Sequence, residues 1–143
     1  MFRLAFLVLA ATLSAGAFAS TLQVSPTSPI IMDSDVTLGD GTQIHGPWFK
    51  ADYTVQADET ITVTGLHIDI ISADGQKLSV DVSLSDPVEL QAGESMAFQE
   101  LYVSSLPQAS SDTYDVQVTV LGWNGDKTTP SDDLNFGTSF QTM

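Results

Sequence analysis

Asp33, Asp35 and Asp40 fall within eight residues of one another in the segment Met32-Asp-Ser-Asp-Val-Thr-Leu-Gly-Asp-Gly-Thr42. Carboxylates on a turn-rich stretch are the kind of oxygen donors that calcium takes. The EF-hand spacing is absent, however, with no closing Glu and no helical flank. The same residue types also build ordinary turns, because Asp accepts hydrogen bonds from nearby amides and Gly reaches positive φ. A calcium loop at Asp33, Asp35 and Asp40 and a plain solvated loop are therefore both open. His45 and His67, joined by Met32 or Met96, would be the donor set of a copper site. The alternation around His67 places it opposite the apolar set Leu66, Ile68 and Ile70, and His45 sits in a loop, so two separate surface imidazoles are the simpler reading. Gly93-Glu94-Ser95-Met96-Ala97 approaches the nucleophile elbow but has Ala where its second Gly belongs, and it leads into a strand pattern rather than a helix. No Ser/His/Asp order, zincin motif or phosphate-cradling glycine loop occurs, and the chain is expected to be non-catalytic and to carry no cofactor other than the calcium considered above.

Aromatic residues offer a further chemistry, that of contact. Trp48, Phe49, Tyr53, Tyr102 and Trp123 would suit a protein- or carbohydrate-binding face, since Trp and Tyr combine large apolar area with a polar tip. Most of them must fill the core of so small a domain. Trp123 and Asn124 are the candidate binding surface, because they stand beside the Asn124-Gly125 turn. Trp123 folded over the open end of the domain as a lid is the competing reading.

The compartment is written in the first residues. Arg3, the apolar run Leu4 to Leu13 and the small-x-small triplet Ala17-Phe18-Ala19 read as a signal peptide over residues 1–19, with the mature domain spanning 20–143. The apolar core is short for a membrane span, and no stop-transfer pattern follows. Export to the periplasm or the exterior is expected. All 18 acidic residues lie after the leader and only Lys50, Lys77 and Lys127 balance them, so the mature charge is −15. That argues against nucleic acid and against anionic lipid surfaces as partners. The chain contains no cysteine, which removes disulfides, thiol chemistry and a lipoprotein anchor.

The mature chain alternates apolar and polar residues in the period of half-buried strands. Tyr114, Val116, Val118 and Val120 face one way while Asp115, Gln117 and Thr119 face the other. Leu78, Val80, Val82 and Leu84 repeat the pattern, as do Ala51, Tyr53 and Val55, and Leu134, Phe136 and Phe140 form a last strand. The parity slips at Gly65, between Ile61/Val63 and Leu66/Ile68/Ile70, which predicts a β-bulge. A second slip, between Met96/Phe98 and Leu101/Val103, predicts another bulge or a change of sheet. Asp74-Gly75 predicts a hairpin turn, and Ser25 to Pro47 reads as a long loop with an edge strand near Ile30 to Met32. About seven strands with turns roughly every 8 to 12 residues predict an all-β, antiparallel two-sheet sandwich in a single domain.

From Leu101 onward the chain resembles the last three strands of a fibronectin type III domain within the immunoglobulin-like sandwiches. The residues carrying the likeness are Leu106, Pro107, Tyr114, Val116, Val118, Val120, Gly125, Pro130 and Ser131, with Trp48 as a counterpart of the Trp on that family's second strand. The resemblance implies that Tyr114 forms a tyrosine corner, its hydroxyl bonding back to nearby backbone. The spacing from Leu106 to Tyr114 and the loop before Trp48 are longer than the family's usual ones. The expectation is an exported binding or adhesion-type domain whose ligand is a protein or a carbohydrate. A self-assembling surface or fibre subunit and a small periplasmic calcium-binding protein are the alternatives.

Overall fold

The computed structural model describes residues 20–108, 113–125, 134 and 136–143. The leader 1–19, Lys127, Pro130 and Ser131 lie outside these residues. The described chain is all-β, with nine strands in antiparallel ladders. They are β1 (Thr21–Ser25), β2 (Val36–Thr37), β3 (Gln43–Ile44), β4 (Phe49–Gln56), β5 (Ile61–Ser72), β6 (Lys77–Leu90), β7 (Ser95–Val103), β8 (Tyr114–Asn124) and β9 (Gly137–Gln141). One sheet has the order β1-β4-β7, a second has β6-β5-β8-β9, and β2-β3 form a small hairpin of their own.

Apolar residues of the two larger sheets share one core, giving a β-sandwich-like body. Phe49, Tyr53 and Val55 of β4 share the core with Leu66, Ile68 and Ile70 of β5 and Val116, Val118 and Val120 of β8, all essentially without solvent contact. Alternation decides this: on β8 Tyr114, Val116, Val118 and Val120 are buried while Asp115, Gln117 and Thr119 are exposed.

Both parity slips are bulges. Across the β5-β8 ladder Val63 pairs with Gly122 but Gly65 pairs with Leu121, so β5 carries one extra residue at Thr64. A Cβ on Gly65 would lie 2.1 Å from the Val82 carbonyl oxygen, and one on Gly122 would lie 1.9 Å from that of Thr62. Only glycine permits this backbone approach. On β7 the extra residue lies between Phe98, paired with Tyr53, and Leu101, paired with Ala51. Glu100 there adopts φ 51°, and its amide donates to the Asp52 carboxylate at 2.6 Å. The bulge returns Leu101 and Val103 to the inward face held by Met96 and Phe98.

The turn at Asp74-Gly75 joins β5 to β6, with the Ser72 amide bonded to the Gln76 carbonyl and Gly75 at φ 87°. The Ser25 to Pro47 segment has more structure than a long loop. It holds the β2-β3 hairpin and an antiparallel bridge from Met32 to Trp48. The segment's polar composition hid pairs that are only two residues long.

The sheets are unequal, three strands against four. At one lateral side β1 and β9 adjoin, with Leu22, Val24 and Phe140 lining the seam between them. At the other side β6 connects to β7 through the short turn 91–94. Along β6 the ladder to β5 breaks between Ser83, opposite Gly65, and Val88, opposite Val63, so Leu84 to Pro87 arch away from it. Pro87 sits on that arch, where no ladder amide is required.

Candidate functional site

Four groups of side chains bear on function, three by their chemistry and one by its place in the fold. The first is the acidic hairpin. Asp40 lies at the tip of the β2-β3 hairpin, where its carboxylate accepts the Thr42 amide at 3.0 Å. Asp35 lies at the hairpin base, and its carboxylate accepts the Gly46 amide at 2.9 Å with His45 Nδ1 3.4 Å away. These amides hold both carboxyls below their ordinary pKa, the Gly46 bond first for Asp35 and the Thr42 bond first for Asp40. Asp33 precedes them, its carbonyl packed against Gly46. Among the described residues no group of three or more His, Cys, Asp or Glu is arranged to hold a metal ion.

The second group was not foreseen as a cluster. His67 points outward from β5, and its Nδ1 meets Asp81 of β6 while its Nε2 lies 3.0 Å from Asp69. Ser79 donates to Asp69 at 2.6 Å, and Lys77 Nζ approaches the same carboxylate at 3.8 Å. Two carboxylates can only accept, so the imidazole satisfies both by donating from both nitrogens, which requires its protonated form. The Asp81 hydrogen bond is the chief reason the His67 pKa is raised. For Asp69 the Ser79 hydroxyl is the chief reason its pKa is lowered. Asp81 comes opposite His67 because the hairpin register is centred on Asp74, one step from what a two-residue Asp74-Gly75 turn would give. The cluster lies on the open exterior face of the sheet, beside Thr119 and Gln117 of β8. Ser79 bonds the Asp69 carboxylate rather than the imidazole. His45 and His67 belong to different clusters, each with its own acidic partner.

The third group follows from the β7 bulge. Lys50, Asp52, Gln99 and Glu100 line an open groove of about 430 Å³, together with Ser25 and Pro26. Lys50 reaches Glu100 at 3.6 Å and lies 5.7 Å from the centre of the Tyr102 ring. Tyr102 is tilted against Trp48, whose indole N–H donates to the Ser34 carbonyl at 2.7 Å. Trp48 is thus buried and anchored immediately before β4.

The fourth group is structural. The Tyr114 hydroxyl donates to the Pro107 carbonyl at 2.5 Å, and Leu106 beside it is buried. The Tyr114 amide donates to the Thr142 hydroxyl at 2.9 Å, which ties the end of the chain to the start of β8. Trp123 and Asn124 lie at the end of β8, paired in register with Thr62 and Ile61, and Trp123 is half-buried. The strand runs on through them because the β5 bulge realigns Val63, Thr62 and Ile61 with Gly122, Trp123 and Asn124.

No family model and no curated protein matches the chain. Among solved structures it is similar to a structural genomics target, SoR45, with a TM-score of 0.55 and 8% identity over 87% of this chain and 86% of that one. It is also similar to the putative ApaA protein from Bordetella pertussis, with a TM-score of 0.50 and 12% identity over 89% of this chain and 96% of that one. Likeness at such identities concerns the fold alone. It spans nearly the whole described body, so the all-β architecture is shared rather than one hairpin or sheet.

Proposed function

We propose that the chain is an exported, non-catalytic binding domain built on an immunoglobulin-like sandwich of fibronectin type III type. The strand order β1-β4-β7 facing β6-β5-β8-β9 supports that class, as does the Tyr114 hydroxyl bonded back to Pro107. Trp48, at the entry to the second strand of the three-stranded sheet, fits the same pattern. Export rests on the leader 1–19, which lies outside the described residues.

Binding is carried by one observation, the incomplete cover over β6. Leu78, Val80 and Val82 face inward yet remain half-buried, while Ile70, Ile68 and Leu66 beside them on β5 are fully buried. A folded domain gains about 25 cal/mol for each Å² of apolar surface it covers, so a stripe left partly open along an edge strand is surface available to a partner. The −15 mature charge disfavours phosphate-bearing partners and favours neutral or cationic ones.

The test is a protein and glycan binding screen with chain 20–143, each hit followed by amide chemical-shift mapping. Saturable binding with unchanged ligand is expected. Turnover of a hit compound that disappears in His67→Ala would overturn the reading.

A further inference from the structure

The stripe on β6 continues past Val82 to Leu84 and Val88, and Met96 and Leu101 of β7 border it as further half-buried residues packed on the core. These seven residues are half-buried side chains of β6 and β7, each the edge strand of its sheet. The cause is the unequal strand count. Because β1 and β9 adjoin at the opposite side, the three-stranded sheet ends at β7 and leaves β6 overhanging. Among the described residues no strand pairs with the outer edge of β7. One further strand beside β7 would make four face four, satisfy that edge and cover the stripe.

We propose that the seam between β6 and β7 accepts an extended segment of a cationic partner, in which apolar residues alternate with lysine or arginine, added as a fourth strand beside β7. This rests on the binding reading above and names the partner's chemistry. The period-2 alternation follows from the strand geometry: every second side chain of an added strand points at the Val80/Val82 stripe, and the others point to solvent. The cationic preference follows from the acids near it. Asp86 and Glu89 on β6 and Glu94 in the connecting turn are all exposed, whereas Lys50 and Lys77 already face Glu100 and Asp69. A second copy of this chain would bring its own large negative charge to the same acids and is disfavoured. The bulge at Glu100 ends the straight part of the edge, so strand addition is confined to Ser95–Phe98 and recognition is short.

The experiment titrates isotopically labelled chain 20–143 with three peptides of equal length: alternating Val/Lys, alternating Val/Glu, and all-Lys. The Val/Lys peptide is expected to saturate, to shift the amides of Ser95–Phe98 and the methyls of Val80 and Val82, and to weaken as salt is raised. The Val/Glu peptide is expected not to bind. In the double variant Val80→Ser/Val82→Ser, affinity for the Val/Lys peptide should fall about tenfold. If that variant does not fold, the mapping on the unaltered chain decides. Equal binding of the all-Lys peptide, shifts confined to other strands, or self-association through the same resonances would each overturn the proposal. A screened ligand that binds while leaving β6 and β7 unmoved would overturn this proposal alone and leave the binding reading standing.

Discussion

Two core tyrosines should respond in opposite directions to the same substitution. Tyr53 is fully buried in the middle of β4, its ring 6.4 Å from that of Phe140, and its hydroxyl has no hydrogen-bond partner among the described residues. Burial without a partner also pushes its pKa up. A buried hydroxyl left unpaired costs about 1–3 kcal/mol, against which the few dispersion contacts of one oxygen atom are small. Tyr53→Phe should therefore stabilise the domain by about 1 kcal/mol, or roughly 3–5 °C in Tm for a domain of this size. Tyr114 is equally buried, but its hydroxyl is bonded to the Pro107 carbonyl. Tyr114→Phe removes the donor and strands the acceptor, and should destabilise by about 1–2 kcal/mol. Urea unfolding of both variants and the parent reads the two signs directly, and the m-value should not change because the buried area does not. A loss of more than about 1 kcal/mol in Tyr53→Phe would mean that its hydroxyl is paired. Equal effects in the two variants would refute the reasoning as a whole.

Gly65→Ala places a Cβ 2.1 Å from the Val82 carbonyl oxygen. It should cost about 2–3 kcal/mol in urea unfolding, and a cost below about 0.5 kcal/mol would mean that β5 does not bulge there. The His67 imidazole should titrate above its ordinary 6.5 by NMR, chiefly because of Asp81, and Asp81→Asn should bring the midpoint down. Because the folded pKa is the raised one, the cluster's stabilisation is fully present below pH 6.5 and fades as pH rises through the folded midpoint. His67→Gln should therefore flatten that part of the stability profile, by a small amount because the imidazole is more than a third exposed. The Asp35 carboxyl acts with the other sign, its contribution present above pH 3.8 and lost as pH falls through its lowered folded pKa; a stability profile of Asp35→Asn that keeps the parent's acid limb would contradict this. Millimolar calcium should leave Tm at its value in chelator, since Asp35 and Asp40 serve amides at opposite ends of one hairpin; a rise of several degrees would show a cation site there.

The strands and their irregularities were legible because side-chain parity is local. Val63 and Leu66 cannot both face the core of a regular strand, nor can Phe98 and Leu101, and both slips appear as bulges. The Asp74-Gly75 turn was legible from its residue types, but the register of β6 on β5 was not, because it is centred on Asp74 and so depends on the length of the loop. Pairing between distant segments was not legible. Nothing near Trp123 in the chain says that Thr62 lies opposite it. The His67 cluster was half visible, since Asp69 shares its face two residues on, while Asp81 needs the hairpin register. The overhang of β6 was hidden altogether. Leu78, Val80 and Val82 follow the same alternation as the fully buried Val116, Val118 and Val120, and it is the edge position of β6 opposite a three-stranded sheet that separates their burial.

Amide hydrogen exchange along β7 tests the binding account most directly, because an added strand must hydrogen-bond to that edge. With the Val/Lys peptide at saturation, amides within Ser95–Phe98 should slow markedly, while the exchange of β9 stays as it was. Saturated binding with unchanged exchange throughout Ser95–Phe98 would contradict the account.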